Sequence, residues 1–268
     1  MKKSSYFFLF YATASLLACS DSDDANGSSA AFETPLNIAN YWTYDVQNAG
    51  EVNRDSLYIS NDTVIASKTY KKFKTKDNLA TGFYSSALRN NGLRQENGKL
   101  FLSGDLSLNG ATALPVAFDL NLSDFVIFNK NATNNQALNA IPKTGTINET
   151  VGDYPLTILY SLQSFGGETL PSYTSPNGMT YTNVKTTKIK LNVKITTTVE
   201  VFGSSQTIVA LAPQDVLVST QYLADGIGVV YSNTVTSYEL NTLIATQLQI
   251  PASSSETQEE FLDTYLVN

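Results

Sequence analysis

The 268-residue chain contains no histidine. That absence removes the commonest general base, the Ser-His-Asp and Cys-His arrangements, and zinc sites of the usual histidine type. Cysteine occurs once, as Cys19, so no disulfide can form within the chain. Neither a Gly-x-Ser-x-Gly elbow nor a phosphate-cradling Gly-Lys-Ser/Thr loop is present. Basic residues are the minority sign, 17 against 24 acidic. An acidic body argues against nucleic acid as a partner, since its binders present basic surface. It argues equally against a polybasic grip on anionic lipid. No cofactor and no metal is expected.

What is present begins at the N-terminus. Lys2 and Lys3 precede an uncharged apolar run from Tyr6 to Ala18, thirteen residues long. A bilayer span needs about 20, so this run reads as a secretory signal peptide ending at a small residue, over residues 1–18. "LLAC", Leu16 to Cys19, resembles the lipobox of bacterial lipoproteins. The resemblance implies cleavage before Cys19 and acylation of its thiol and new amino terminus, through the lipoprotein-processing machinery. One acyl chain holds a protein marginally, whereas two or three anchor it stably in the membrane. The mature chain would then carry 15 basic and 24 acidic residues, because residues 1–18 hold only Lys2 and Lys3.

Ser20, Asp21, Ser22, Asp23 and Asp24 follow the cysteine. This run is similar to the acidic export signal of Bacteroidota-type surface lipoproteins, and implies an outer-membrane protein facing the exterior. A plain solvated tether is the alternative. The same stretch, "DSDDANG", is no EF-hand loop: its glycine falls one place late and no glutamate closes it. Residues 19–31 lack large apolar groups and read as a flexible tether.

From Phe32 to residue 268 the texture is that of strands, rich in Thr, Val, Ile and Tyr and punctuated by glycine turns. In "KIKLNVKI" (188–195) Ile189, Leu191, Val193 and Ile195 alternate with Lys188, Lys190, Asn192 and Lys194. Period two places one face on a core and one in water. "YWTYDV" (41–46) directs Trp42, Tyr44 and Val46 one way, into the core rather than toward a sugar. "SLYIS" and "DTVIA" are expected to pair about a turn at Asn61, and Asn97-Gly98 to close a second hairpin. "PVAFDLNL" (115–122) alternates with Val116, Phe118, Leu120 and Leu122 on one face. A helix is expected at about 256–266: Ser255 with Gln258 forms a capping box, and Phe261, Leu262, Tyr265 and Leu266 a stripe. A shorter one is read from Thr242 to Gln249, capped by Asn241. The fold class expected is all-β: one curved or two-layer antiparallel sheet, half-barrel or sandwich-like, with a short C-terminal helix.

Three segments resemble exported bacterial half-barrel proteins: "NYWTYDV" (40–46), "SPNGMTYTNVKTTKI" (175–189) and "TQYLADGIGVVYSN" (220–233). The resemblance implies a strongly curved sheet, completed by the last segment; some members carry acyl chains in the concave face. Gly226 and Gly228 read independently as a bulge or sharp bend inside a strand. A dinucleotide loop is excluded there, because Tyr231 occupies the third glycine's place.

Asp105, Asp119 and Asp124 are the candidate carboxylates for a glycosidase pair. The plainer expectation is that Asp119 points outward and the other two end strands. Asp55-Ser56-Leu57 and Asp62-Thr63-Val64 are similar to the O-glycosylation motif of Bacteroidota-type exported proteins, with Ser56 and Thr63 as acceptors. These observations lead to a lipid-anchored outer-membrane surface protein, non-catalytic, serving as a binding or structural module with a glycan or protein partner. The alternatives are a periplasm-facing carrier of an apolar ligand and a carbohydrate-active enzyme using paired carboxylates.

Overall fold

A computed structural model describes residues 32–107, 118–152, 154–201 and 204–268. The signal peptide, Cys19, the acidic run and Val116 lie outside the described residues. In chain order the elements are β1 (Tyr41–Asn48), β2 (Glu51–Ile65), β3 (Lys68–Thr75), α1 (Phe83–Leu88), β4 (Gly92–Glu96), β5 (Lys99–Ser107) and β6 (Asp119–Asn129). There follow β7 (Lys143–Val151), β8 (Tyr154–Thr174), β9 (Thr180–Val201), β10 (Ser204–Ala224), β11 (Gly228–Glu239), α2 (Thr242–Leu248) and β12 (Ser253–Leu266).

All the strands join one 12-stranded antiparallel sheet in the order β6-β5-β4-β3-β2-β1-β12-β11-β10-β9-β8-β7. Chain neighbours pair throughout except β6 and β7, which form the two edges, and β12 returns to lie against β1. The sheet curls until it nearly closes, as a barrel. Its edges, β6 and the β7–β8 side, meet through side chains rather than a ladder. Asn139 acts there as a substitute strand residue: its Oδ1 accepts from Val126 N at 2.9 Å and its Nδ2 donates to Val126 O at 3.0 Å. The same Nδ2 reaches Ser164 Oγ at 2.8 Å. Beside it, Thr187 Oγ1 donates to Ile127 O at 2.8 Å. These bonds satisfy part of an edge that would otherwise be open to stray pairing.

The alternation read over 188–195 holds: Ile189, Leu191, Val193 and Ile195 are buried, and the lysines between them are not. Trp42, Tyr44 and Val46 fill the core, as do Phe118, Leu120 and Leu122. The Asn97-Gly98 hairpin joins β4 to β5. α2 forms as expected; Asn241 Oδ1 accepts from Leu243 N at 3.0 Å, and Gln249 ends the helix in the left-handed region.

Three expectations need correction. The helix expected over 256–266 is instead strand β12, lying between β1 and β11 and bonded to both. Two ladders outweigh a helix preference of a few tenths of a kcal/mol per residue. The capping box does not form, since Gln258 bonds to α1 instead. A register shift against Thr43 and Tyr44 breaks the two-residue alternation. That break produces the four-residue spacing of apolar groups that mimics a helical stripe.

Nor does the chain turn at Asn61. β2 runs straight through it with a register shift beside Ser60. The turn is at Ala66 and Ser67, both at positive φ (47° and 66°). A two-residue turn of that kind suits the strands' twist whatever its residues, although Asn-Gly is the usual signal. Gly226 and Gly228, likewise, do not kink one strand. They shape the turn joining β10 to β11, with φ of 69° and 104°, and the register then shifts between Val229 and Tyr231 of β11, opposite Leu223 and Tyr222. This hairpin is internal to the sheet; the edges are β6 and β7.

Candidate functional site

Two places inside and at the mouth of the barrel concentrate chemistry. The first is buried. β2 and β12 send Asp55, Gln258 and Glu260 onto the concave face, where α1 packs against β2, β3 and β5. The first N–H groups of a helix have no partner within it, and no side chain from its own first turn caps α1. Asp55 accepts from Thr81 N at 2.9 Å and Gly82 N at 2.8 Å. Gln258 Oε1 accepts from Phe83 N at 2.6 Å. Glu260 accepts from Tyr84 N at 2.6 Å, and from Ser85 N and Ser85 Oγ at 3.1 and 2.8 Å. Gly82 is required by close approach, because a Cβ there would lie 2.2 Å from the Glu260 carboxyl.

Electrostatics follow from this geometry. Burial pushes the Glu260 carboxyl up to about 7, against the pull of its bonds from Tyr84 and Ser85, and the Asp55 carboxylate adds to the rise. Burial also raises the Tyr44 and Tyr84 hydroxyls above their ordinary value, with Glu260 contributing. The two carboxylates can hold a helix end, and their oxygens are occupied in doing so.

The second place is the mouth. The segment 32–37 crosses it, tied by Glu33 N to Asp225 Oδ1 at 2.6 Å and by Gly226 N to Glu33 O at 3.0 Å. Thr34 Oγ1 donates to Gln95 Oε1 at 2.9 Å, and Phe32 packs on Phe128 with ring centres 5.5 Å apart. Above this segment opens a cleft of about 520 Å³, lined by Glu33, Asn37, Gln95, Gly226 and Asn268 among others. Below it an apolar void of about 30 Å³ lies among Trp42, Phe73, Leu100, Phe128 and Val229. The void has room for about one water molecule. The cleft is of the size that holds small ligands.

The three aspartates lie on β5 and β6. Asp119 opens β6, and Asp105 lies within β5, where its carboxylate accepts from Asn121 Nδ2 at 2.9 Å. Asp124 lies within β6 at a register shift, at a φ of 48°, so the expectation that these two end strands is overturned. Lys68, Tyr70 and Arg94 all bond its carboxylate. Although burial works against ionisation, those bonds hold the Asp124 carboxyl well below the usual carboxylate range. Arg94 in turn lies over the Phe101 ring at 4.2 Å. This is an ion-pair cluster in which the Asp124 oxygens are occupied, while the buried Arg94 Nε has no hydrogen-bond partner.

Of the residues singled out in the sequence, Ser56 and Thr63 share β2 but differ in setting. Asp55 and Leu57 flank Ser56 and are buried, whereas Asp62 and Val64 beside Thr63 are exposed. Sequence reasoning missed Asp55, Gln258 and Glu260. Polar Glu256, Gln258 and Glu260 at every second place before Leu262 were the available signal, hidden by the helical reading of the segment. No known protein family, no curated protein and no solved structure matches the chain.

Proposed function

We propose that the chain is an acyl-anchored protein of the outer-membrane exterior whose barrel-like domain is a packed, non-catalytic binding or structural module. The anchor and the address are supported by "LLAC" and by Ser20 to Asp24. The observation that carries the module reading is the use made of the interior. Trp42, Tyr44, Phe73 and Phe118 are buried in it, α1 lies on its concave face, and the void beside Trp42 and Phe73 is about 30 Å³. One methylene of an acyl chain takes about the volume of one water, so this void among the described residues suits no lipid tail.

The buried acids count against general acid–base work for the same reason: their oxygens already accept from α1. Recognition on this reading belongs to the mouth cleft and the outer surface. Asn37, Gln95 and Glu33 offer amide and carboxylate groups there, suited to the hydroxyls of a glycan. Mass spectrometry of the native protein tests the anchor: a lipid-modified Cys19 at the mature N-terminus is expected, and a free thiol would remove it. External protease tests the address. The Asp21→Ala, Asp23→Ala, Asp24→Ala variant should stay membrane-bound yet become protected.

A further inference from the structure

At the mouth, four large apolar side chains stand in water within a short span of backbone: Ile38 (49% exposed), Tyr41 (41%), Tyr265 (43%) and Leu266 (47%). Cross-strand pairing sets Tyr41 opposite Leu266, and Tyr265 opposite Trp42. The turn bearing Ile38 is tied to the same place, since Asn268 N donates to the buried Asn40 Oδ1 at 3.0 Å. Tyr41 and Tyr265 are the aromatic members of the exposed large apolar set among the described residues. Exposed apolar groups scattered singly mean little, but a contiguous set marks a contact surface.

The directions of these side chains say what kind of surface. Tyr265 and Leu266 are chain neighbours in β12 and so point to opposite faces of the sheet. Both are exposed, so the strand end stands clear of the core on both sides. A protein partner lying flat on the barrel would cover one face. A rim apolar on both faces fits a medium that surrounds it. Tyrosine, with an apolar body and a polar tip, is suited to the boundary between lipid and water.

We infer that this rim dips into the interfacial layer of a lipid bilayer and sets the barrel mouth-down on the membrane. The inference rests on the acyl-anchor reading for its biological setting. Twelve residues, 20 to 31, separate the anchor cysteine from Phe32, which can lie at most about 45 Å from it. Phe32 begins the segment that crosses this same mouth. Glu33 and Asp225 lie at the mouth, and Asp45, Arg54 and Asp263 form an ion-pair group farther along β1, β2 and β12. Lys185 lies over the Phe32 ring and Lys74 is paired with Tyr58 beside Tyr41, so both signs of charge flank the rim and neither sign selects anionic lipid.

The test separates this contact from the anchor. Residues 1–18 are replaced by a hexahistidine tag and Cys19 by serine (Cys19→Ser), and the chain is held on phosphatidylcholine vesicles containing nickel-chelating lipid. Leu266→Cys then carries a polarity-sensitive thiol dye; Leu243→Cys on α2, at the far end of β12, is the control. Brominated lipid should quench the dye at 266 at least threefold more than at 243. Adding Ile38→Ser and Tyr41→Ser should remove most of that difference while α2 and the strand content persist by circular dichroism. Equal quenching at the two sites would overturn the inference. So would a dye at 266 that is unquenched on vesicles yet protected on cells when the same Leu266→Cys change is made in the native chain, which assigns the rim to a protein partner. Failure of the native chain to float with vesicles would instead count against the acyl anchor alone.

Discussion

Glu260 is buried on the concave face with its oxygens turned to the start of α1. Its ordinary pKa is 4.5 and burial lifts it to about 7, so the folded chain binds its proton more tightly than the unfolded chain does. The stability this contributes is present in full below about 4.5 and lost as the pH rises through 7. A shift of this size corresponds to something on the order of 3 kcal/mol. Chemical denaturation between pH 5 and 8 should therefore show a midpoint that falls as pH rises. Glu260→Gln keeps an acceptor and drops the charge, and should flatten that profile. At the surface, the two glycosylation-like triplets part company. Thr63 has exposed neighbours on both sides, whereas Ser56 lies between buried Asp55 and Leu57. Any sugar carried by β2 should then disappear in Thr63→Ala and persist in Ser56→Ala, read by intact-protein mass.

At the scale of elements, the seam and β12 carry the argument. Asn139 replaces a strand's ladder with one side chain, bonding both the N–H and the C=O of Val126. Asn139→Ala leaves the Val126 N–H without its partner, while Val126 C=O keeps its bond from Ser164 Oγ, at a cost of about 2 kcal/mol. Amide exchange at Val126 should rise at least tenfold while that of β10 and β11 stays as in the parent. β12 binds the barrel on two sides and stacks Phe261 on Tyr231, ring centres 5.2 Å apart. Tyr222 continues the row at 5.3 Å from Tyr231, and Tyr173 of β8 closes on it at 4.2 Å. Phe261→Ala should cost about 3 kcal/mol, as large-to-small changes at buried positions do. A denaturation midpoint matching the parent's would show the row contributes nothing.

For the whole molecule, the question is what a nearly closed sheet encloses. Carriers keep an apolar hollow; this barrel holds bulky side chains, α1 and a segment across its mouth. An unfilled hollow would forfeit contacts along its lining. The mature chain expressed in a lipid-rich cell should therefore emerge from native mass spectrometry without a stoichiometric acyl lipid in its interior. A bound lipid that survives removal of the anchor would put the carrier reading first.

Much of this architecture was legible in the residues themselves. Alternation over 188–195, the buried Trp42 and Tyr44, the Asn97-Gly98 turn and the Asn241-capped helix are local patterns. Each depends on period, propensity or turn chemistry within a few positions, so the chain's own order contains them. The absence of histidine and the solitary Cys19 narrowed the chemistry in the same way. What the tertiary structure decided were matters of partnership. Residues 253–266 are strand because β1 and β11 both offer them an edge. Asp55 and Glu260 meet across 205 positions of sequence because α1 needs acceptors there. The seam closes at Asn139 because a curled sheet brings β6 to β8. Local sequence specifies which face a side chain takes, but only the closing of the sheet specifies what it faces.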